Sequence, residues 1–339
     1  MERDVIIKIM RKNRIRHFSL AAVLCMLWCA LLTGCKSSTN HTGIAEYSIV
    51  CTTFAQYDWI REILGTHTEH FELTYLLEKG GDLHNYQPTA ESMAKISSAD
   101  LFVYVGGESD EWVEEALKGA VNQEMCVVNL IDTLGDRIWE EEIVEGMQTH
   151  EGHEGHSNEE TEYDEHIWLS LKNAAYLTDV LSEKIGQLDA ENAAYYAENA
   201  EAYIQELHAL DDAYTDAVNR AERNTLLFGD RFPFRYMTED YGIDYYAAFA
   251  GCSTETDASF ETITFLSGKA DELELHTILA IEGSDQRIAE IIRQNTRSQN
   301  QEILTMNSLQ SVTAKEIEDG FTYLGAMRDN LEVLKKALY

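Results

Sequence analysis

Strand-like and helix-like stretches alternate in both halves of the chain, and this restricts the fold more than any other sequence feature. In the first half, the β-rich runs are 47–54, 71–77, 101–105 and 125–131. In the second half, the short apolar runs are 225–228, 245–249, 277–281 and 303–306, and a helical pattern at 330–338 closes the chain. Strands that alternate with helices form parallel sheets covered by helices. We therefore predict an α/β protein of two lobes, each with a parallel sheet flanked by helices.

The segment between the two halves, residues 173–223, has a different composition. It contains no Pro and a single Gly, Gly186, and it is rich in Ala, Glu, Leu and Tyr. Tyr, Asn and Leu side chains from Tyr195 to Leu207 recur every four positions, which is the spacing of one helix face. We predict one or two long helices, with a break between Gly186 and Asp189. A helix that joins two lobes acts as a stiff backbone and restricts hinge motion.

The N-terminus predicts export and lipid attachment. Five basic residues between Lys8 and Arg16 precede an uncharged apolar run, 18–32, that is short for the roughly 20 residues of a bilayer-spanning helix. The run ends in Leu-Thr-Gly-Cys35, which resembles a bacterial lipobox, so we expect a lipid on Cys35 to hold the protein at the extracellular face of the cytoplasmic membrane. The alternative is an ordinary signal peptide or an anchor helix.

The predicted segments are a signal peptide (1–34), a lipidated tether (35–45), an N-terminal lobe (46–172), a linking helix (173–223) and a C-terminal lobe (224–339).

Charge and cysteine content exclude several classes of protein. The net charge of −34 repels nucleic acid and attracts cations, and the 45% apolar content supports packed cores. Two cysteines lie in the signal segment and Cys35 carries the lipid, so Cys51, Cys126 and Cys252 remain. An odd number at wide spacing is not a disulfide framework. Cys51 and Cys126 lie in strand-like runs, which predicts buried free thiols.

His84 is the first candidate metal ligand. It lies in the loop Gly-Gly-Asp-Leu-His-Asn-Tyr-Gln-Pro-Thr, residues 80–89, which follows a strand and precedes a helix. Ligands of parallel α/β sheets bind beyond the carboxyl ends of the strands. We therefore expect His84 to face the cleft between the lobes. The alternative is a loop histidine with no ligand.

His166 is the second candidate. It lies in Tyr-Asp-Glu-His-Ile-Trp-Leu-Ser, residues 163–170, directly before an apolar step that we expect to be buried. A side chain next to such a step is held rigidly, as a metal ligand must be. Asp164 is placed to orient the imidazole. The alternative is a histidine that only caps a helix.

A polar, acidic segment at 148–163 contains three further histidines, His150, His153 and His156. Short histidine-rich tracts are typical of metal binding, and mixed imidazole and carboxylate donors favour zinc over calcium. We predict a loop that collects zinc and feeds the cleft. The alternative is a solvated acidic linker.

The two histidine motifs together resemble those of the zinc- and manganese-type solute-binding proteins of ABC importers. The loop around His84 resembles the family's loop around its first His ligand. Asp-Glu-His-Ile-Trp resembles the family's Asp-Pro-His-Ile-Trp motif around the second, with Glu165 in place of Pro. The resemblance covers nearly all of residues 46–339. It implies two lobes joined by a rigid helix, a monomer, and an ABC permease as partner.

The C-terminal lobe departs from the family pattern. The family usually has a third His where this chain reads Leu-Phe-Gly-Asp230, and Asn307 stands where the family has an Asp. Asp230 is our first choice for a third ligand, the alternative being that it only caps the helix that begins at Pro233. Glu282 and Glu255 are further carboxylates that can complete a four-coordinate zinc shell. Water at an open position, or a donor from the histidine tract, is the alternative.

These patterns predict a binding protein and not an enzyme, one that captures Zn²⁺ outside the cell and delivers it to an importer. The missing His donors and added carboxylates favour Mn²⁺, whereas the histidine tract favours Zn²⁺, which we prefer. Since an imidazole must be neutral to bind, we expect zinc affinity to fall as the pH drops. A surface adhesin of the same fold and a zinc metalloenzyme remain the other functions, although the sequence has no His-Glu-x-x-His element.

Overall fold

The structure is a computed structural model, and it describes residues 45–148, 162–253 and 257–339. Within these ranges, eight strands form two parallel sheets of four strands each, and helices cover them. The predicted α/β fold with two sheet-containing halves is therefore confirmed.

The first sheet has the order β2-β1-β3-β4. Its strands are β1 (Tyr47–Cys51), β2 (Phe71–Tyr75), β3 (Leu101–Tyr104) and β4 (Cys126–Asn129). Its helices are α1 (Phe54–Leu64), α2 (Ala90–Ser98), α3 (Trp112–Lys118) and α4 (Leu130–Leu134). The strand predicted at 125–131 ends at Asn129, because the Asn129 side chain accepts a hydrogen bond from Asp132 N and begins α4.

The second sheet repeats this arrangement with the order β6-β5-β7-β8. Its strands are β5 (Thr225–Phe232), β6 (Asp244–Ala250), β7 (Thr277–Ile281) and β8 (Glu302–Met306). The following helices are α7 (Arg235–Tyr241), α8 (Phe260–Glu272), α9 (Arg287–Asn295), α10 (Ala314–Glu318) and α11 (Tyr323–Leu338). Strand β5 extends beyond the predicted 225–228, and an irregularity in its pairing with β6 lies between Phe228 and Arg231.

Two helices connect the halves, α5 (Leu171–Leu188) and α6 (Ala193–Arg220). The first begins at Ser170, whose hydroxyl accepts a hydrogen bond from Asn173 N. The turn between them is held by Asp189, which accepts hydrogen bonds from Asn192 and Tyr196. At 28 residues, α6 is about 42 Å long.

Helix α6 contacts both halves of the molecule. Near its start, Asn199 donates to the carbonyl of Ile63 at 2.9 Å. Near its end, Tyr214 donates to the carbonyl of Met327 in α11 at 2.7 Å. One continuous helix therefore spans the two sheets.

The chain after β8 returns to the first half and ties the sheets together. Trp168 Nε1 donates to the carbonyl of Ser308 at 2.8 Å, and Tyr323 Oη donates to the carbonyl of Trp168 at 2.6 Å. Helix α11 begins at Tyr323, seven residues before the predicted 330, because the Thr322 hydroxyl caps it through Gly325 N. A single hydrophobic core includes side chains from both halves.

Several sequence predictions fall on residues outside the described ranges. No helix in the described part of the chain has the length and apolar character that a membrane span requires. The features outside these ranges are the signal peptide, the lipidated Cys35, the histidines His150, His153 and His156, and Glu255.

Candidate metal site

A short 3₁₀ turn, Leu83–Asn85, positions His84. Asp82 caps the turn by accepting a hydrogen bond from His84 N at 3.1 Å. The same carboxylate forms an ion pair with Arg231 of the second half at 2.7 Å. Leu83 is buried in the core and Asp82 contacts the second half, so the turn that carries His84 is fixed on both sides.

His166 is fully buried and is oriented by Asp164. One carboxylate oxygen of Asp164 accepts hydrogen bonds from both the backbone N and the Nδ1 of His166, at 2.8 and 3.0 Å. Trp168 anchors the following turn through its bond to the second half. Because an ionised carboxylate only accepts hydrogen bonds, Nδ1 carries the ring proton and Nε2 presents a lone pair.

Ser109 and Glu165 orient His84 in the same way. Ser109 Oγ lies 2.8 Å from His84 Nδ1, and Glu165 Oε2 lies 3.4 Å from it. Burial favours the neutral carboxyl group of Glu165, but hydrogen bonds from His84 and Ser109 outweigh burial and lower its pKa. Burial also opposes protonation of His84, yet the hydrogen bond and charge of Glu165, together with Asp82, raise its pKa.

Close packing at Gly107 keeps Glu165 in this position. Gly107 has a φ of +82°, and a Cβ there would lie 2.4 Å from Glu165 Oε1. Only glycine adopts this conformation without strain and leaves room for the carboxylate.

The two imidazoles converge through their remaining nitrogens. The Nε2 atoms of His84 and His166 are 3.2 Å apart. Each Nδ1 has a neighbour of its own, Asp164 beside His166 and Ser109 beside His84, so in the neutral tautomer protonated at Nδ1 each ring directs its Nε2 lone pair at the same point. Zinc–nitrogen bonds are about 2.0–2.1 Å, which places two nitrogens of a tetrahedral zinc site roughly 3.3 Å apart. The pair is therefore suited to share one ion.

Cys252 completes a three-residue cluster. The donor atoms of His84, His166 and Cys252 all lie within 4.8 Å of one another. Cys252 follows β6, at the carboxyl edge of the second sheet. The sequence pattern did not identify Cys252 as a candidate ligand. The sequence feature that could have indicated it is its position directly after Gly251, at the carboxyl end of a parallel strand.

Residues 49–337 match the model of the family described as zinc-uptake complex component A, periplasmic. The chain belongs to this family. The resemblance seen in the two histidine motifs is therefore confirmed.

Individual relatives support the same assignment. The chain is 30% identical over 321 residues to the zinc-binding lipoprotein AdcA of Streptococcus pneumoniae, covering 94% of this chain and 60% of that protein. It is 26% identical over 317 residues to the high-affinity zinc uptake system protein ZnuA of Bacillus subtilis, covering 91% of this chain and 95% of that one. The chain thus spans about 60% of the length of AdcA.

Solved structures show the same fold. The Zn(II)-bound ZnuA-like domain of S. pneumoniae AdcA superposes with a TM-score of 0.67 at 24% identity, covering 86% of this chain and 99% of that one. The metal-dependent lipoprotein YcdH of B. subtilis gives a TM-score of 0.69 at 24% identity, with the same coverage.

Asp230 and Glu282, two of the predicted ligands, do not join the imidazoles. Asp230 accepts hydrogen bonds from the backbone N atoms of Arg231 and Ile281, at 2.9 and 3.3 Å. Glu282 accepts from the backbone N and the hydroxyl of Ser308. Burial raises the pKa of Glu282, although the bonds from Ser308 oppose this. Both carboxylates line a cleft of about 640 Å³, to which Asp82 and Asn85 beside His84 also contribute, and their hydrogen bonds hold backbone of the second half.

Gln310 of the second half also lies near the imidazoles. Its Nε2 lies 3.5 Å from Nε2 of His84, and its side chain is buried. A rotation of the amide would present its oxygen to the same point. Asn307, at the position of the family's Asp, instead accepts a hydrogen bond from Leu309 N.

An acidic cavity of about 390 Å³ adjoins the cluster. It is lined by His84, Cys252 and Glu165, and by four more glutamates: Glu108, Glu111, Glu141 and Glu162. Burial, and then the neighbouring carboxylates, raise the pKa of Glu108. A cavity with this lining concentrates cations beside the imidazoles.

Proposed function

We propose that this protein captures Zn²⁺ between its two halves with His84 and His166 and delivers it to the permease of an ABC importer. The 3.2 Å approach of the two buried Nε2 atoms carries the proposal, because it matches the separation of two nitrogens bound to one tetrahedral zinc ion. The names of AdcA and ZnuA, and of the family, refer to zinc binding or uptake.

The donors favour zinc over manganese. Imidazole nitrogen and cysteine sulfur are preferred by zinc, whereas manganese prefers carboxylate, carbonyl and water oxygens. The two carboxylates that would have favoured manganese, Asp230 and Glu282, bond to backbone and hydroxyl groups instead.

Binding, and not catalysis, is the role that the burial of the donors supports. The side chain of His84 is 5% exposed and that of His166 is not exposed at all. Catalytic zinc needs an open position that a substrate can reach. Two enclosed imidazoles beside an acidic cavity are better suited to admit and hold a small cation.

We place the protein, as a monomer, at the extracellular face of the cytoplasmic membrane, anchored by lipid on Cys35. The support is the lipobox-like sequence and the lipoprotein name of AdcA. The tract with His150, His153 and His156 would supply zinc to the acidic cavity, because Glu162, near the end of the same segment, lines that cavity.

The test is zinc titration of the mature protein in competition with a chelator. We expect one tight site in the wild type, and a loss of affinity of about 100-fold or more in His84→Ala and in His166→Ala, since each removes one of few zinc ligands. The matched control is His208→Ala, an exposed histidine of α6, which should bind like the wild type. Full affinity in both cleft variants would show that the ion binds elsewhere.

A further inference from the structure

We infer that Cys252 is a third metal ligand, so that the ion is bound by two imidazoles and one thiolate. The inference rests on the proposed function, because it adds a donor to the same site. Metal-binding groups of three or more His, Cys, Asp or Glu residues need donor atoms that lie close together. Among the described residues, His84, His166 and Cys252 meet this requirement, with donor atoms within 4.8 Å of one another.

The fold brings the sulfur to the imidazoles through a close approach of backbone. A Cβ on Gly251 would lie 2.9 Å from Cε1 of His166 and 2.9 Å from the carbonyl of Phe232. Glycine at this position therefore lets the segment after β6 pass directly against the buried ring. The next residue, Cys252, is held by a hydrogen bond from its backbone N to Glu141 at 3.2 Å.

Cys252 is the member of the cluster that comes from the second half. Asp230 and Glu282 direct their oxygens to Arg231, Ile281 and Ser308. With Cys252 as ligand, one ion bridges the first half, through two histidines, and the second half, through the sulfur. Metal binding then stabilises the closed arrangement of the two halves.

The chemistry of the step is a simple exchange. In the metal-free protein, burial and the charges of Asp164, Glu141 and Glu165 raise the pKa of the thiol well above its usual value, so the group is a neutral thiol. Metal binding breaks the S–H bond, forms the S–metal bond and releases the proton to solvent. The charge of the ion replaces the proton as the partner of the sulfur.

A thiolate ligand has a consequence for selectivity. Thiolate favours Zn²⁺, Co²⁺ and Cd²⁺ and disfavours Mn²⁺. The fourth position of a tetrahedral site remains for water or for the amide oxygen of Gln310, a buried side chain of the second half whose Nε2 lies 3.5 Å from Nε2 of His84.

The experiment is Co²⁺ substitution of the wild-type mature protein, followed by optical spectroscopy. A cobalt–thiolate bond gives an intense near-ultraviolet charge-transfer band, in addition to the visible bands of tetrahedral cobalt. We expect both in the wild type, and loss of the charge-transfer band in Cys252→Ser and Cys252→Ala. Zinc affinity should fall by roughly 100-fold in these variants, since loss of an outer partner alone costs about 10–100-fold. Cys126→Ser, a cysteine outside the cluster, should keep the band and the affinity.

The outcomes separate this inference from the proposed function. A wild-type protein that binds Co²⁺ and Zn²⁺ without a charge-transfer band overturns the inference, and this result does not depend on any variant folding. Unchanged zinc affinity in Cys252→Ser, with affinity lost in His84→Ala, overturns it as well and leaves the proposed function standing. A wild-type protein that binds no zinc overturns the proposed function itself.

Discussion

Each imidazole of the site is held through its Nδ1 atom by an acidic neighbour, and this decides what the other nitrogen can do. Asp164 engages His166 directly, while Ser109 and Glu165 engage His84. Glu165 stands where the family motif has Pro, so this chain places a carboxylate where that motif has none. An anionic partner fixes the orientation of a ligating imidazole and raises its basicity.

Glu165→Gln tests this contact. The substitution removes the negative charge beside His84. The glutamine has one acceptor oxygen in place of two, so it cannot accept hydrogen bonds from the Ser109 N–H and the His84 ring through two separate oxygens. We expect zinc affinity to fall by about 10–100-fold with the fold intact, measured by chelator competition. Glu162→Gln is the control, because Glu162 lines the same acidic cavity but is exposed. Equal losses in both variants would show that the charge of the cavity matters and the contact does not.

At the scale of elements, the site is built from segments that lie at the ends of strands and at the start of a helix. The 3₁₀ turn of His84 follows β2, the turn after His166 leads into α5, and Gly251 and Cys252 follow β6. These segments meet because the carboxyl edges of the two parallel sheets face each other across the site. Gly251 sets how closely the β6 segment approaches His166.

Gly251→Ala should disturb this approach. The new methyl group would lie 2.9 Å from the His166 ring and from the Phe232 carbonyl, both buried, so the ring or the segment must shift. We expect a loss of about 1–3 kcal/mol in the free energy of unfolding and at least about tenfold weaker zinc binding.

The matched control for this variant is Gly268→Ala in the interior of α8, where an added Cβ meets nothing within 4 Å. It should raise the free energy of unfolding by about 0.5–1 kcal/mol and leave zinc binding unchanged. Urea denaturation and zinc titration of both variants measure these effects. Wild-type affinity in Gly251→Ala would show that the ring does not need this close packing.

At the scale of the whole molecule, buried polar contacts and one helix hold the two halves in a single arrangement. Helix α6 bonds to Ile63 near one end and to Met327 near the other. Asp58 in α1 is fully buried and accepts a hydrogen bond from the backbone N of Tyr323 in α11 at 2.8 Å. Because these links cross between the halves, we expect metal capture to involve local adjustment of the site rather than wide opening.

Asp58 makes stability depend on pH. Burial raises its pKa to about 6, against the lowering effects of Arg61 and the Tyr323 N–H. A folded-state pKa above the unfolded value of about 3.9 means that folding favours the protonated group. This stabilisation is complete below about pH 4 and is lost as the pH rises through about 6.

Comparison with Asp58→Asn isolates the effect, since Asn does not titrate. Between pH 4 and pH 7, the free energy of unfolding of the wild type should fall relative to that of the variant by roughly 2–3 kcal/mol. Urea denaturation of the metal-free proteins at several pH values measures it. Parallel pH profiles would show that Asp58 titrates normally in the folded protein.

The fold could be predicted well because the pattern of apolar residues is a local property. Strand β7 has the predicted limits, and the Pro-free segment does form the connecting helices. The predicted limits of strands and helices are wrong where a capping side chain ends or begins the element. Asn129 stops β4 by capping α4, and Thr322 starts α11 early. A capping bond depends on one side-chain rotamer, which a periodic pattern does not record.

The sequence by itself determined the two-sheet architecture and the connecting helices, and it pointed to the two histidines as candidates, because each has a signature in neighbouring residues. Only the tertiary structure decided which other side chains stand beside them. Asp230 and Glu282 share with Cys252 a place near the end of a strand, and sequence position does not say where a side chain points. Packing turned the two carboxylates toward backbone N–H groups and brought the sulfur to the imidazoles, since a site between two sheets is formed by contacts more than 80 residues apart.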